Sequence, residues 1–312
     1  LPNDGASEFV RIPSGNTAAY APGTRMRNFT YQGSDTVLHV GNDLEIADDL
    51  WLTTGLAALY TRRESAVTYP QSGGKTSMSD WDYAPRLGLR YQVTPDLQLF
   101  GNLSRSVEAP HPWSLIYSSN IRFPAGNGAA TGTQSDPIKL QNQTATTLEL
   151  GGRGDSTLGQ WSLAWYYAQV RHELLSVLPD ANAVTPYELN ASPTVHQGVE
   201  ASLQSTLWSA ADGRKLSLRQ AYTFSDFHYR DDQRFGDNRL PGLPMHYYQG
   251  ELRHDWPQGF FAAVNTQLVS KVAVDYANSY YADPYALFGA TVGYNAPKND
   301  WQTWLDLRNL TN

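Results

Sequence analysis

The sequence predicts an all-β protein, an antiparallel transmembrane β-barrel, and three observations carry that prediction. Connections between alternating apolar/polar segments are short and long by turns from one end of the 312-residue chain to the other. No run of 18 apolar residues occurs, so a bundle of membrane helices is excluded. Aromatic residues reach 12%, with 19 Tyr and 9 Trp, as girdles at two membrane interfaces would require. A soluble β-sandwich or propeller with an aromatic core is the alternative from composition alone.

The elements follow in order. Segments ending at Ile46, Val93, Gly154, Ser205, Asp255 and Asn295 each run into a brief polar turn. Those ending near Arg63, Val107, Val177, Tyr229 and Ser270 run into connections of roughly a dozen to three dozen residues, unusual in compact soluble domains. With the final strand this makes about twelve strands from Thr36 onward, each roughly 9 to 13 residues, enough to cross a bilayer at a tilt. Every hairpin then has one tight and one elaborate end, on the same two sides. That arrangement matches short periplasmic turns and long extracellular loops.

Within strands, parity separates two faces. Tyr83, Leu87, Leu89 and Tyr91 share one face, against Arg86, Gly88, Arg90 and Gln92. Leu97, Leu99, Gly101 and Leu103 oppose Gln98, Asn102, Ser104 and Ser106; Leu148 and Leu150 oppose Thr147, Glu149 and Arg153. Val199, Ala201 and Leu203 oppose Glu200 and Gln204, and Leu305 and Leu307 oppose Gln302, Asp306 and Arg308. The polar rows are rich in Gln, Ser, Asn and Gly rather than Lys and Glu, which suits a confined lumen better than bulk water. Arg86, Arg90, Asn102, Glu149 and Glu200 are therefore expected to face the lumen, where opposite charges can pair.

Particular phrases then become recognisable. Residues 81–91 (WDYAPRLGLRY), the turn at 94–97 (TPDL) and residues 99–110 (LFGNLSRSVEAP) together resemble a hairpin of TonB-dependent outer-membrane receptors. Residues 148–151 (LELG) after Asn142, 196–200 (HQGVE), 240–244 (LPGLP) before His246 and 306–312 (DLRNLTN) are similar to later phrases of that family, in its order. The resemblance spans Thr36 to Asn312. It implies a 22-stranded barrel, filled by an N-terminal plug and coupled through a box to an inner-membrane energy complex. Residues 1–312 are expected to be part of that barrel, with the plug, the first strands and the last strand outside this chain. Pro85 is expected near the head of its strand, where a missing donor does least harm. Gly151 and Gly198 are expected where another backbone approaches, which in the family is the plug.

The implied function is TonB-dependent uptake of a scarce ligand across the Gram-negative outer membrane. An iron–siderophore chelate is the implied cargo, with cobalamin or another ligand as alternatives. A passive porin or binding barrel without a plug is the reading from another class. Implied partners are outer-membrane lipid, the TonB complex and a small molecule such as a ferric siderophore. The formal charge of −7 and scattered Lys and Arg give no footing for nucleic acid.

Chemistry-bearing patterns are few. The chain has no cysteine, no HExxH and no Gly-x-Ser-x-Gly, so catalytic residues, resident metal and cofactor are all expected to be none. His228 with Asp226, Asp231 and Asp232 reads as a solvated acidic loop. The connection from Glu108 to Asn142 is the principal candidate binding surface, through His111, Trp113, Tyr117, Arg122 and Phe123. Rings beside a cation suit a planar or anionic ligand. Tyr280 and Tyr281, with Tyr276 and Tyr285, form a second aromatic candidate cluster.

Overall fold

The computed structural model describes residues 28–69, 74–119, 134–177 and 187–310. Twelve strands form one antiparallel sheet in strict sequence order. They are β1 (Asn28–Ala47), β2 (Leu50–Tyr69), β3 (Lys75–Thr94), β4 (Leu97–Glu108), β5 (Gln143–Ser156) and β6 (Gly159–Arg171). There follow β7 (Thr194–Ser209), β8 (Lys215–Tyr229), β9 (His246–Asp255), β10 (Phe260–Val269), β11 (Tyr285–Asn295) and β12 (Gln302–Leu307). Sequential neighbours pair throughout, and among the described residues β1 and β12 are the two edges.

Register fixes the faces. Leu87 lies opposite Leu103, which lies opposite Leu148, which lies opposite Tyr167. The apolar row is thus continuous across strands, and its members are open to the surroundings: Leu38 is 64% and Val40 70% exposed. A continuous apolar face of this extent is untenable in water and is explained by contact with hydrocarbon. The opposite face carries Gly88 against Asn102 and Asn102 against Glu149. Strand polarity sets the height of the band. From Trp81 to Tyr91 on β3 the chain climbs about 33 Å at ~3.3 Å per residue, or about 25 Å once tilted by ~40°, the height of an outer-membrane apolar belt.

Aromatic rings mark both borders. Near the short turns, His254 packs against Trp256 (ring centroids 4.3 Å apart), Phe260 against Tyr294 (4.8 Å) and Tyr294 against Trp301 (5.4 Å). Near the long connections, Tyr60 packs on Trp81 (5.1 Å) and Trp165 stacks on Tyr167 (6.4 Å). An amphipathic ring is stable where apolar core meets polar headgroup, so the two rows define the interfaces.

Two expectations need correction. First, β1, β2 and β3 are each 20 residues long, and only a short link joins β2 to β3. The polar stretch after Arg63 is a continued hairpin, paired down to Ala66 with Lys75, rather than an irregular connection. Conversely, Leu174–Val177 is not the end of β6 but half of a small separate hairpin with Tyr187–Asn190.

Second, Pro85 sits in the middle of β3, opposite Leu56. The ladder from β3 to β4 runs only from Arg86 to Thr94, so Pro85 lies just where a donor toward β4 is no longer needed. Beyond it the gap is filled by side chains. Asp82 accepts a hydrogen bond from Asn142 Nδ2 (2.7 Å) and meets Arg105 Nη2 (3.4 Å).

At Gly151 and Gly198 another backbone does approach, through the Leu163 and Phe224 carbonyls of neighbouring strands, and cross-strand rings add to the crowding. A Cβ on Gly151 would lie 2.4 Å from the Phe100 ring; one on Gly198 would lie 2.2 Å from the Phe224 carbonyl and 2.5 Å from the Tyr166 hydroxyl. Phe261 covers Gly293 in the same way, at 2.4 Å. In each case the ring belongs to the residue directly opposite. The ring supplies the apolar cover that the glycine lacks.

Three substitutions test this frame. Leu87→Arg places a charge near the middle of the apolar band and is expected to destabilise by about 2–4 kcal/mol, whereas Arg86→Ala on the other face changes stability by less than about 1 kcal/mol. Gly198→Ala is expected to cost about 1–3 kcal/mol through forced displacement of Tyr166 and β8. Reversible urea unfolding in lipid vesicles measures all three.

Candidate functional site

The long connections gather at one end of the sheet, and polar contacts fasten them to the strands and to each other. The best-defined fastening begins at Arg63, on the inner face of β2 and only 6% exposed. Its guanidinium grips Asp35 of β1 with two bonds (2.8 and 2.9 Å) and donates through Nε to the Pro110 carbonyl at 2.8 Å. The planar fork makes this possible: one cation holds a carboxylate and a backbone carbonyl together. Ser65 donates to the Pro112 carbonyl, and Gly33 leaves room for the Pro112 ring, which a Cβ would meet at 2.7 Å. The root of the 109–142 connection is thus seated on β1 and β2.

That seating places a short 3-10 turn, Pro112–Leu115, with Leu115 buried and its neighbours turned outward. His111 and Trp113 project from it with their rings 5.0 Å apart, and Trp113 is 59% exposed. Residues Ile116–Ser119 then pair with Gln134–Pro137. This brings the Tyr117 backbone into a hairpin opposite Asp136. Arg122 and Phe123 lie outside the described residues.

The next connection, 172–193, clasps the first. Asn190 accepts from the Gln141 amide through Oδ1 (2.7 Å) and donates back to the Gln141 carbonyl (3.0 Å) and to the His172 carbonyl (2.8 Å). Glu188 reaches Ser114, beside His111. Burial raises the Glu188 carboxyl above the ordinary carboxylate range, opposed in part by the Ser114 hydrogen bond. Beneath, Glu173 accepts from Thr194 and meets His196 Nε2 (3.3 Å), and His196 stacks on Phe227 at 4.1 Å.

The last two long connections are knit likewise. Tyr276 donates to the Ser176 carbonyl (3.3 Å) and packs against Tyr229 and Phe235. Asn278 bonds Arg239 through both its oxygen and its nitrogen (2.9 Å each). Tyr280, 72% exposed, and Tyr281, 43% exposed, stand on this unit, with the Lys271 ammonium 4.6 Å from the Tyr281 ring centre. The structure therefore brings His111 with Trp113, and Tyr280 with Tyr281, as two patches linked through the 172–193 connection.

The acidic loop has a structural job. Asp226 is held by Arg239 Nη2 (2.7 Å) and Gln197 (2.9 Å), and Asp232 accepts from the Arg234 and Phe235 amides. Among the described residues no group of three or more His, Asp or Glu is placed to hold a metal ion.

The five polar residues assigned to the lumen sit lower, together on the polar face of the sheet. Arg86 donates to Asn102 Oδ1 (3.3 Å), and Arg90 lies 3.6 Å from Asp43 with its guanidinium 4.7 Å over the Trp51 ring. Glu149 stands opposite Asn102 and Tyr166, and Glu200 opposite Ala164 and Thr223. Arg63, Asp35, Glu188 and Lys271 were not singled out from sequence. The one available signal was the parity of Arg63, the single charged residue in its row on β2.

A sheet with a lipid-exposed apolar face, aromatic borders, tight turns at one end and interlocked connections at the other defines a transmembrane β-barrel of the outer-membrane type. A family model described as TonB dependent receptor-like, beta-barrel, matches residues 3–310. The chain belongs to that family of receptors and transporters, which are not enzymes. Solved structures agree in fold. The ferric yersiniabactin uptake receptor FyuA from Yersinia pestis superposes with a TM-score of 0.67 at 16% identity, covering 93% of this chain and 42% of its own. The ferric citrate transporter FecA gives 0.68 at 17%, with 91% and 41% covered, and the copper transporter OprC 0.65 at 15%, with 92% and 42%. The chain spans about two fifths of the length of these structures.

Two predictions follow the loop contacts. Arg63→Met is expected to release the Pro110–Leu115 turn, a loss of about 1–3 kcal/mol given that Asp35 is half exposed. Hydrogen exchange should accelerate at Ser114 while β1 and β2 stay protected. For Glu188, a carboxyl raised in the folded state favours the loop clasp fully below its unfolded value. The contribution is lost as pH rises through the folded value. Exchange at Ser114 and Gln141, corrected for intrinsic pH dependence, should therefore quicken with rising pH, and Glu188→Gln should remove the dependence.

Proposed function

We propose that this chain forms the wall and extracellular loop roof of a receptor in the Gram-negative outer membrane that takes up a scarce ligand at the expense of TonB-transmitted energy. An iron–siderophore chelate is the proposed cargo. The observation that carries the reading is the interlocked roof of loops on a family barrel. A passive pore needs an open mouth, whereas a capture site needs loops held in register over the lumen. Ferric-chelate receptors and transporters among the structures of like fold support the choice of cargo. A copper transporter among them keeps other metals as an outcome of the test.

In this mechanism exposed rings and cations of the roof, Trp113 and His111 first, capture the ligand by stacking and hydrogen bonding. A plug, joined to further strands that bring the barrel to 22, fills the lumen and yields when the inner-membrane complex pulls it. The polar inner face, with Arg86, Arg90, Asn102, Glu149 and Glu200, lines the path. No covalent step is required of any residue.

The test is accumulation of radioactive iron by cells expressing the full-length gene in place of their own ferric-chelate receptors. Uptake of ferric chelate that stops when TonB is deleted is the expected result. Chelate entry unaffected by TonB would instead mark a passive pore, and uptake confined to cobalamin or copper would overturn the cargo. Trp113→Ala should weaken chelate binding about three- to tenfold, the loss of one stacking contact, as measured by fluorescence titration on whole cells.

A further inference from the structure

A cavity of about 330 Å³ opens between the long-connection end of β8 and the two loops that follow β8 and β10. Phe227, Leu240, Leu243, Met245 and Tyr281 form most of its wall, and Lys271 stands at it. Ser225 and Phe227 share the parity of Ala221 and Thr223 on the polar face of β8, whereas His246 of β9 has the opposite parity, so the cavity lies at the strand ends where the two faces meet. Its shape is held by backbone bonds from Ser225 to the Met245 carbonyl (2.9 Å), from Leu240 to the Phe227 carbonyl (2.8 Å) and from Gly242 to the Ala273 carbonyl (2.9 Å).

Two cations border this apolar wall, and they differ. The Arg239 guanidinium is already committed to Asp226 at 2.7 Å. The exposed Lys271 ammonium has a ring beside it and, among the described residues, no carboxylate partner. A mostly apolar pocket with one uncommitted cation recognises an amphipathic anion: charge on the ammonium, flat apolar body against the wall. Size narrows the choice. The volume lies at the small end of the roughly 300–1,000 Å³ range of ligand sites, room for one or two rings and not for a whole multidentate chelate.

We propose that this cavity is a binding site for a small planar aryl anion of benzoate type, with the carboxylate on Lys271 and the ring between Phe227, Met245 and Tyr281. The proposal does not depend on which cargo the receptor transports, and it is tested without transport. The chain contains three methionines, Met26, Met78 and Met245, and Met245 is in the cavity wall. Full-length receptor carrying ¹³C-methyl methionine, in detergent micelles, is titrated with benzoate and with its neutral isostere benzamide. The Met245 signal is assigned through Met245→Leu.

Saturable movement of the Met245 methyl by benzoate is expected, with a dissociation constant on the order of 1 mM for so small a ligand, and the Met78 methyl stays still. Benzamide should bind at least fivefold more weakly. Lys271→Gln, a change at an exposed side chain, should reduce benzoate to the level of benzamide. An unmoved Met245 methyl, equal binding of the two probes, or benzoate binding untouched by Lys271→Gln would each overturn the proposal.

Discussion

The structure depends on one constraint: in hydrocarbon, every backbone donor and acceptor must be paired within the sheet while the outward side chains are predominantly apolar. Strict sequential antiparallel pairing meets the first demand over twelve strands. The period of two along each strand meets the second, and it leaves the inward row free to be polar. Because a one-residue slip would send Arg86 and Arg90 into lipid and Leu87 and Leu89 into water, register is strongly specified. Glycines covered by cross-strand rings, such as Gly198 under Tyr166, then let neighbouring strands approach without empty space.

Above the membrane the constraint is relaxed, and different physics takes over. There is water to satisfy loops, so their shape has to be imposed by specific contacts. Arg63 does this for the first long connection, joining Asp35 and the Pro110 carbonyl from a nearly buried position. Asn190 and Asn278 do it for the others, each bonding backbone groups of a second segment. The result is a roof whose exposed rings are held by polar side chains that never need to touch a ligand themselves. Glu188 and Tyr276 each join one connection to another, to Ser114 and to the Ser176 carbonyl.

Much of the fold was legible in the sequence. The alternation in Trp81–Tyr91 and Leu97–Leu103 reported both faces, and Thr94-Pro95-Asp96 reported a turn through ordinary turn chemistry. What was misread had a common cause. Where β2 and β3 rise past the aromatic border, polar residues such as Arg62 enter the outward row as well, so Glu64 and Asp80 read as loop although they are paired strand. Pro85 was misplaced for the same reason, since its strand continues upward by ten further residues to Lys75. The candidate site was legible only in part. His111, Trp113, Tyr280 and Tyr281 announce themselves as rings in loops, but the Arg63 fastening and the Lys271 cavity join residues far apart in sequence. No local pattern encodes those meetings.

The central claim is that β3 crosses a bilayer with one face in lipid and the other in a watery lumen. A cysteine scan from Trp81 to Tyr91 tests it most directly, since this chain has no cysteine of its own. Each single variant, assembled in outer membrane, is treated with a membrane-impermeant maleimide and then with a lipid-soluble one. Even positions labelled by the impermeant reagent and odd positions only by the lipid-soluble one is the predicted ladder. Labelling of both parities by the impermeant reagent would contradict the account and place this strand in a water-exposed sheet.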